Sequence, residues 1–233
     1  MTKCGPLRKL NPLYRSISTA ALIADRCVVG FSGGKDSVAV LDLAVKHFKQ
    51  VDAFFLYLVG GLGFNERIIK HYEDKYGIHI HRLPHFMLAE WLRYGTYRPA
   101  DYEVPIVSVR QTYDYVRKLT GSWWIAGGER IADSIWRRAM IKQSGSIDEK
   151  RGRLYPLADW TKAHVMAYLR QNRLRVGDES RKLGFSFSSL LTREMLIIRE
   201  TFPSDFETIK RWFPLVEAGI KQYELFQKQI PAV

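Results

Sequence analysis

Cysteine is scarce in this sequence of 233 residues: there are two, Cys4 and Cys27. Two thiols cannot make a disulfide framework or the four-ligand set of a structural zinc site, and such thrift fits a reducing compartment. Acidic residues are also in short supply, 24 Asp and Glu against 36 Lys and Arg, which leaves a formal charge of +12. That balance disfavours a cationic partner and favours polyanions such as nucleotides, nucleic acid or an acidic protein, although a plain basic surface would satisfy it equally. No run of 18 apolar residues is present, and residues 1–10 lack the apolar segment of a secretory leader, so the expectation is a cytoplasmic protein with no membrane partner. Repeats, low-complexity tracts and an obvious linker are missing too. What is abundant is apolar side chain: 46% of residues are hydrophobic, enough for a substantial core.

The first two thirds of the chain alternate between strand and helix patterns. Residues 26–31 (RCVVGF), 51–59 (VDAFFLYLV), 78–83 and 122–126 (SWWIA) read as strands. Residues 36–50, 65–76, 87–94 and 107–119 read as helices, with Asn65 as a cap of the second and Gly77 as its stop. This rhythm predicts an α/β fold with a doubly wound, mostly parallel sheet. From 160–170 onward the pattern is helical, with further helices at 190–200, 205–212 and 215–229. The expected division is a nucleotide-binding α/β domain over 1–170 and a helical C-terminal region over 171–233 packed on it.

The most informative string is Phe31-Ser32-Gly33-Gly34-Lys35-Asp36-Ser37, set between a predicted strand and a predicted helix. Glycines let the backbone turn tightly and come close to an anion, and the amides at the helix start then face phosphate oxygens. Lys35 adds a mobile cation, and Ser32 and Ser37 add hydroxyl donors. The string is not a Walker A loop, because Val29 stands where that motif needs its first glycine and Asp36 follows the lysine. A second stretch, from Gly127-Gly128-Glu129-Arg130 through Asp133-Ser134 to Arg137-Arg138, begins just after a predicted strand, at the edge where open α/β sheets bind ligands. Arg130 and Arg137 could each form a fork with phosphate or sulfate oxygens. If the helix there begins by Arg130, the two arginines share one face about 10 Å apart along the axis. A third stretch, Leu154-Tyr155-Pro156-Leu157-Ala158-Asp159-Trp160-Thr161, offers Thr161 and Asp159 as helix caps and Trp160 as an anchor.

These three stretches, in this order, resemble the PAPS reductase and ATP-pyrophosphatase family. SGGKDS is similar to its PP-loop, the second stretch to its G-x-R-x-x-(D/E)-S-x-x-R signature, and the third to its P-(I/L)-x-D-W-T signature. The resemblance covers roughly residues 26–170 and implies an adenine nucleotide alpha-hydrolase-like fold. It implies ATP, or a PAPS- or APS-like nucleotide, held by Ser32, Gly33, Gly34, Lys35, Asp36 and Ser37, with Gly128 nearby. Val59 and Gly60 would face the adenine through their backbone. Lys35, Arg130 and Arg137 would serve catalysis, and Asp36 would be the carboxylate nearest a Mg2+ ion. The implied chemistry is cleavage of ATP between the α and β phosphates. The basic charge points this toward sulfur-linked nucleic-acid modification such as DNA phosphorothioation, with a sulfur-donor protein such as a cysteine desulfurase as partner. Two alternatives stand beside it: a reductase that borrows external thiols, and a nucleotide-binding regulator without turnover.

The sequence departs from the family in ways that bear on chemistry. No cysteine follows Cys27, so the reductases' C-terminal catalytic thiol has no counterpart. The Asp of the relatives' Asp-Thr-Gly after the second strand is missing from Leu58-Val59-Gly60-Gly61. Serines fill Gly184-Phe185-Ser186-Phe187-Ser188-Ser189, where relatives carry thiols; the segment reads as a loop that could close over a substrate. His79 and His81 alternate on one strand face without a third metal ligand. Trp91, Trp123 and Trp124 read as core. Arg170, Arg173, Arg175, Arg181 and Lys182 read equally as a phosphate-tracking strip or a solvated face. Trp212, Phe213 and Phe226 read as helix packing, which leaves room for homo-oligomer contacts.

Overall fold

A computed structural model describes residues 12–229. A short 3-10 turn, Pro12–Tyr14, leads into α1 (Arg15–Ile23), and β1 (Arg26–Gly30) follows. Then come α2 (Lys35–His47), β2 (Gln50–Tyr57), α3 (Gly63–Tyr76), β3 (Ile80–Pro84), α4 (Phe86–Tyr94) and α5 (Val109–Thr120). The chain continues through β4 (Ile125–Ala126), α6 (Ile135–Ser144), β5 (Ile147–Asp148), β6 (Arg153–Leu154) and α7 (Lys162–Gln171). It ends in α8 (Asp178–Leu183), α9 (Thr192–Thr201), α10 (Pro203–Trp212) and α11 (Val216–Gln229). No helix among the described residues is long and apolar enough to cross a membrane.

The strands form one six-stranded sheet in the order β3-β2-β1-β4-β6-β5. β1 pairs with β4 and β4 with β6 in parallel, and only the short β5 runs antiparallel to β6. The sheet is therefore mostly parallel and flanked by helices, an adenine nucleotide alpha-hydrolase-like fold, as the alternating pattern predicts. The chain builds outward from β1 to β3 and then returns to lay β4 on β1's other side. That reversal is the topological switch at which open α/β sheets bind ligands beyond the carboxyl ends of their strands. The segments leaving β1 and β4 there are the SGGKDS loop and Gly127–Arg130.

Contacts divide the chain into two compact units. One takes in the residues up to Gly30, Lys35–Ala53 and Thr120–Leu174; the other takes in Phe31–Gly34, Phe54–Leu119 and the residues from Arg175 onward. In the first, α2 packs on β1 and α7, and its residues from Ser37 to Ala44 are all buried. Trp160 is buried there, donates its indole N–H to the Leu13 carbonyl at 2.7 Å, and meets Tyr14 and Tyr168 edge-on. In the second, Leu62 and Phe64 at the start of α3, Leu88 of α4, and Met195, Ile198, Phe206, Ile209, Phe213, Val216 and Ile220 of the last three helices form one apolar core.

Several local expectations are corrected. Asn65 does not cap α3: the helix begins at Gly63 behind Leu62, and the Asp205 carboxylate accepts the Gly63 and Phe64 amides instead. Gly77 does stop it, in the left-handed conformation at φ 63°. The fourth strand shrinks to Ile125–Ala126. Trp123 lies outside it and is 50% exposed rather than core, its indole N–H directed at the Glu149 carbonyl. Phe226 is also exposed, unlike Phe213. His79 precedes β3 and pairs with Glu73, so the two histidines do not share a strand; no group of three metal-ligating side chains occurs among the described residues.

The Asp-Trp-Thr stretch proves to be a helix start. Thr161 Oγ1 accepts the His164 amide at 3.2 Å, and the Thr161 amide donates to His164 Nδ1 at 3.2 Å, a reciprocal capping box. Asp159 is exposed and takes no part in the box. Thr161→Ala should therefore lower unfolding free energy by about 1 kcal/mol. Urea titration followed by circular dichroism checks this; an unchanged midpoint would show that the box contributes nothing.

Candidate active site

The sequence-predicted loop divides between the two units, and each part is described within its own. The first is Phe31–Gly34. Phe31 leaves β1 buried, with its amide bonded to the Phe54 carbonyl at 2.9 Å and its ring edge-on to Tyr72. Gly33 takes φ +72°, which a side chain would resist, and its carbonyl accepts the Gly177 amide at 2.9 Å. Ser32 Oγ lies 3.1 Å from Ser186 Oγ, which lies 3.4 Å from Ser180 Oγ. The Ser180 hydroxyl in turn donates to Glu179 Oε1 at 2.8 Å. A hydroxyl chain thus runs from the exposed Ser32 to a fully buried carboxyl. Burial pushes the Glu179 carboxyl above the usual range, opposed by the Ser180 hydroxyl and nearby backbone amides; its Oε2 makes no hydrogen bond among the described residues. A Cβ on Gly34 would collide with Ser186 Oγ, so the serine-rich segment read as a loop rests directly on the glycines.

The second segment belongs with Lys35 onward. Lys35 Nζ pairs with Asp36 Oδ2 at 2.7 Å, and Asp36 Oδ1 lies 3.3 Å from Arg130 Nε. Arg130 Nη2 donates to Asp133 Oδ1 at 2.6 Å, and the Arg130 amide donates to Asp133 Oδ2 at 3.0 Å. Arg137 Nη1 also reaches Asp133 Oδ2, at 2.9 Å. Cations and anions therefore alternate from Lys35 to Arg137. Arg130 is 6% exposed, and its Nε and Nη1 make no hydrogen bond among the described residues, the approach to Asp36 being an ion pair only. Gly128 makes room for this. A Cβ there would stand 3.0 Å from Asp36 Cβ and 3.3 Å from the Ser37 amide nitrogen.

The expected helix through Arg130 and Arg137 is not formed. Ser134 caps α6, accepting the Arg137 amide at 3.2 Å, so the helix starts at Ile135 and Arg130 sits in the turn before it. The two arginines share one carboxylate rather than one helix face. Val59 and Gly60 lie elsewhere, beside a cavity of about 290 Å³ that also touches Tyr57, Glu66 and Arg82 and that no loop residue lines.

Residues 26–178 match the phosphoadenosine phosphosulfate reductase domain. The chain belongs to that family. No curated protein matches it. Among solved structures it is similar to phosphoadenylyl-sulfate (PAPS) reductase from Candida auris in a phosphate complex, at 18% identity and TM-score 0.52, over 78% of this chain and 88% of that one. It is also similar to the U34-tRNA thiolase NcsA from Methanococcus maripaludis, at 17% identity and TM-score 0.51, over 88% of this chain and 76% of that one. At these identities the likeness is one of fold.

Cys4 lies outside the described residues, and Cys27 is wholly buried in β1, where desolvation pushes its thiol up to about 12. A thiol so placed is a packed hydrophobe rather than a nucleophile. Asp133 contacts Arg130 in one unit, and Glu179, Ser180 and Ser186 follow Ser32 in the other, none of them singled out from sequence as a site residue. Asp133 lies inside the recognised signature, whereas nothing in Gly177-Asp178-Glu179-Ser180 marks the glutamate as buried.

Two outcomes follow from this packing. Cys27 should resist iodoacetamide at pH 8 in the native protein and react once unfolded, as peptide mass mapping would show; native labelling would place the thiol within reach of solvent. Because its folded value lies above the ordinary one near 9, the stability it contributes is complete below pH 9 and is lost toward pH 12. Gly128→Ala should cost about 1–3 kcal/mol, since the backbone of α2 must move to admit the methyl group. Chemical denaturation measures it, and a neutral result would mean that the two segments are not held in contact.

Proposed function

We propose that this protein is an ATP pyrophosphatase or adenylyl-transfer enzyme that binds the nucleotide's phosphates at Ser32, Gly33, Gly34, Lys35, Asp36 and Ser37. The observation that carries this reading is Arg130: a buried guanidinium beside Asp36, with two nitrogens, Nε and Nη1, that make no hydrogen bond among the described residues. Buried charged donors without partners are costly, and they fit a site whose full complement includes an anion. The domain family and the phosphate held by the Candida auris reductase support the same ligand class.

In the proposed reaction an oxygen of the acceptor attacks the α-phosphorus. A new P–O bond forms, the bond from that phosphorus to the α–β bridging oxygen breaks, and pyrophosphate leaves with the electron pair. The amides at the start of α2 and the Lys35 ammonium would stabilise charge on the leaving group. Nucleotide phosphate would compete with Asp36 for Lys35, while Arg130 would turn its unsatisfied N–H groups on the anion. Arg137 acts through Asp133, keeping that carboxylate from neutralising Arg130 alone. A Mg2+ ion bound with nucleotide takes most of its ligands from phosphates and water and few from the protein. Asp36, whose Oδ1 makes no hydrogen bond, would be that carboxylate, and the ion would supply charge neutralisation. Val59 and Gly60 are assigned to the adenine by family resemblance, and Gly128 is assigned to the phosphate side by its contact with α2.

A reductase reaction needs a thiolate, and Cys27 is unsuited to supply one; turnover of PAPS would require an external thiol. The basic charge supports a nucleic-acid acceptor, and sulfur incorporation from a donor such as a cysteine desulfurase is the process we favour. The test is turnover of ATP and of PAPS, each offered with sulfate, DNA, RNA or a thiol. Pyrophosphate release from ATP is expected, and Lys35→Ala should reduce it at least tenfold through loss of leaving-group stabilisation. Sulfite release from PAPS without any ATP cleavage would make the protein a thiol-dependent reductase, and nucleotide binding without turnover would make it a regulator.

A further inference from the structure

The helix α6 presents a face that its fold does not use. Ile141 is buried, and Met140 packs on a small core of Ile141, Tyr155 and Ala158, which orients the helix. At about 100° per residue, the opposite face carries Ile135, Ala139 and Lys142 along its middle. Trp136 and Arg138 occupy the two flanks. Ile135 is 81% exposed and Trp136 is 86% exposed, and Arg138 and Lys142 make no ion pair among the described residues. No acidic residue occurs in α6 (IWRRAMIKQS).

We propose that this face binds single-stranded nucleic acid, with a base stacked on Trp136 and backbone phosphates on Arg138 and Lys142. Ile135 and Trp136 together expose an apolar surface on this face, and the two cations beside it, Lys142 in the middle and Arg138 on the far flank, select an anionic cover. A protein partner of ordinary kind would need a wider apolar patch than two side chains supply. An unpaired base offers a π-face and a phosphate together, the two chemistries that an exposed indole and cations on one helix can take, whereas duplex bases are closed to stacking. The small Ala139 leaves the middle of the face open.

The position of the face adds a second argument. Arg137 lies between Trp136 and Arg138 in sequence and points the other way, onto Asp133, which also holds Arg130 near Asp36. The strand-binding face therefore starts one residue from the ion-pair chain of the proposed phosphate site. This deepens the functional reading, on which it rests for the meaning of the strand as acceptor, but the binding itself requires no ATP cleavage.

The experiment is fluorescence anisotropy with labelled single-stranded DNA and RNA of about 12 nucleotides and mixed sequence, and with the same sequence as duplex. It is done without nucleotide, so its result does not depend on whether ATP is cleaved. Single strands should bind more tightly than duplex. Trp136→Ala should weaken single-strand binding about tenfold and Trp136→Phe much less, with circular dichroism melts confirming that both variants fold. Arg138→Ala and Lys142→Ala should each lower the salt slope of log Kd by about 0.7. Absence of strand binding by the unmodified protein would overturn the proposal, as would Trp136→Ala binding like wild type. So would duplex binding as tight as single-strand binding, or sedimentation showing that Trp136 holds a dimer together while strand binding is unchanged by its loss.

Discussion

A buried arginine cannot shed its charge, and the arrangement around the first and fourth strands answers that constraint at Arg130. Its guanidinium needs anions on more than one side. Asp133 supplies one through the turn that precedes α6, and Asp36 supplies another from the first turn of α2. Each of those carboxylates is then shared with a further cation, Arg137 and Lys35, as the chain of pairs moves toward solvent, while Arg130 keeps two nitrogens without a hydrogen bond among the described residues. Such proximity is available only because β4 lies directly beside β1 in parallel, so the two strands deliver their following segments to the same edge. Gly128 completes the approach by omitting the one atom that would hold them apart.

That dependence explains why parts of the molecule were readable from sequence. The loop could be placed because a short apolar run ends where the glycines begin, a signal both local and strong, and β1 ends one residue before the expected boundary. Most of the longer elements, such as α4 and α11, were legible from apolar spacing to within a residue or two. The start of α6 was not, because Asp133 closes one turn on the Arg130 amide and Ser134, the next residue, caps the helix on the Arg137 amide, and spacing alone cannot say which polar residue wins. Asn65 failed as a cap because the orphan amides of α3 are taken by Asp205, distant in sequence. The two-residue strands β5 and β6 are too short to carry a period. Glu179 was invisible for a related reason: its neighbours in sequence, Asp178 and Ser180, are polar, while its carboxyl lies close to Gly177 and to Gly33, distant in sequence.

The departures from the family form a consistent set when viewed as chemistry. Ser186, in the serine-rich segment before α9, touches the glycine loop through Ser32. A hydroxyl there can orient hydrogen bonds but does not exchange electrons, while the one described cysteine is sealed in a strand. Within one unit Ser32 meets hydroxyls and a buried carboxyl, and within the other Lys35 and Asp36 meet a guanidinium; neither set contains a thiol.

The Gly33 carbonyl is tied to the Gly177 amide, and Ser32 to Ser186. Those tethers mean that the loop loses its conformational freedom when the chain folds rather than when a ligand arrives. Association with an anion then carries little ordering cost and no slow loop-closing step, so its rate is governed by encounter and by the attraction of a strongly basic molecule for a negative one. A flexible glycine loop of the same sequence would bind the same group more slowly and more weakly, its contacts having to be assembled one by one in the presence of the ligand.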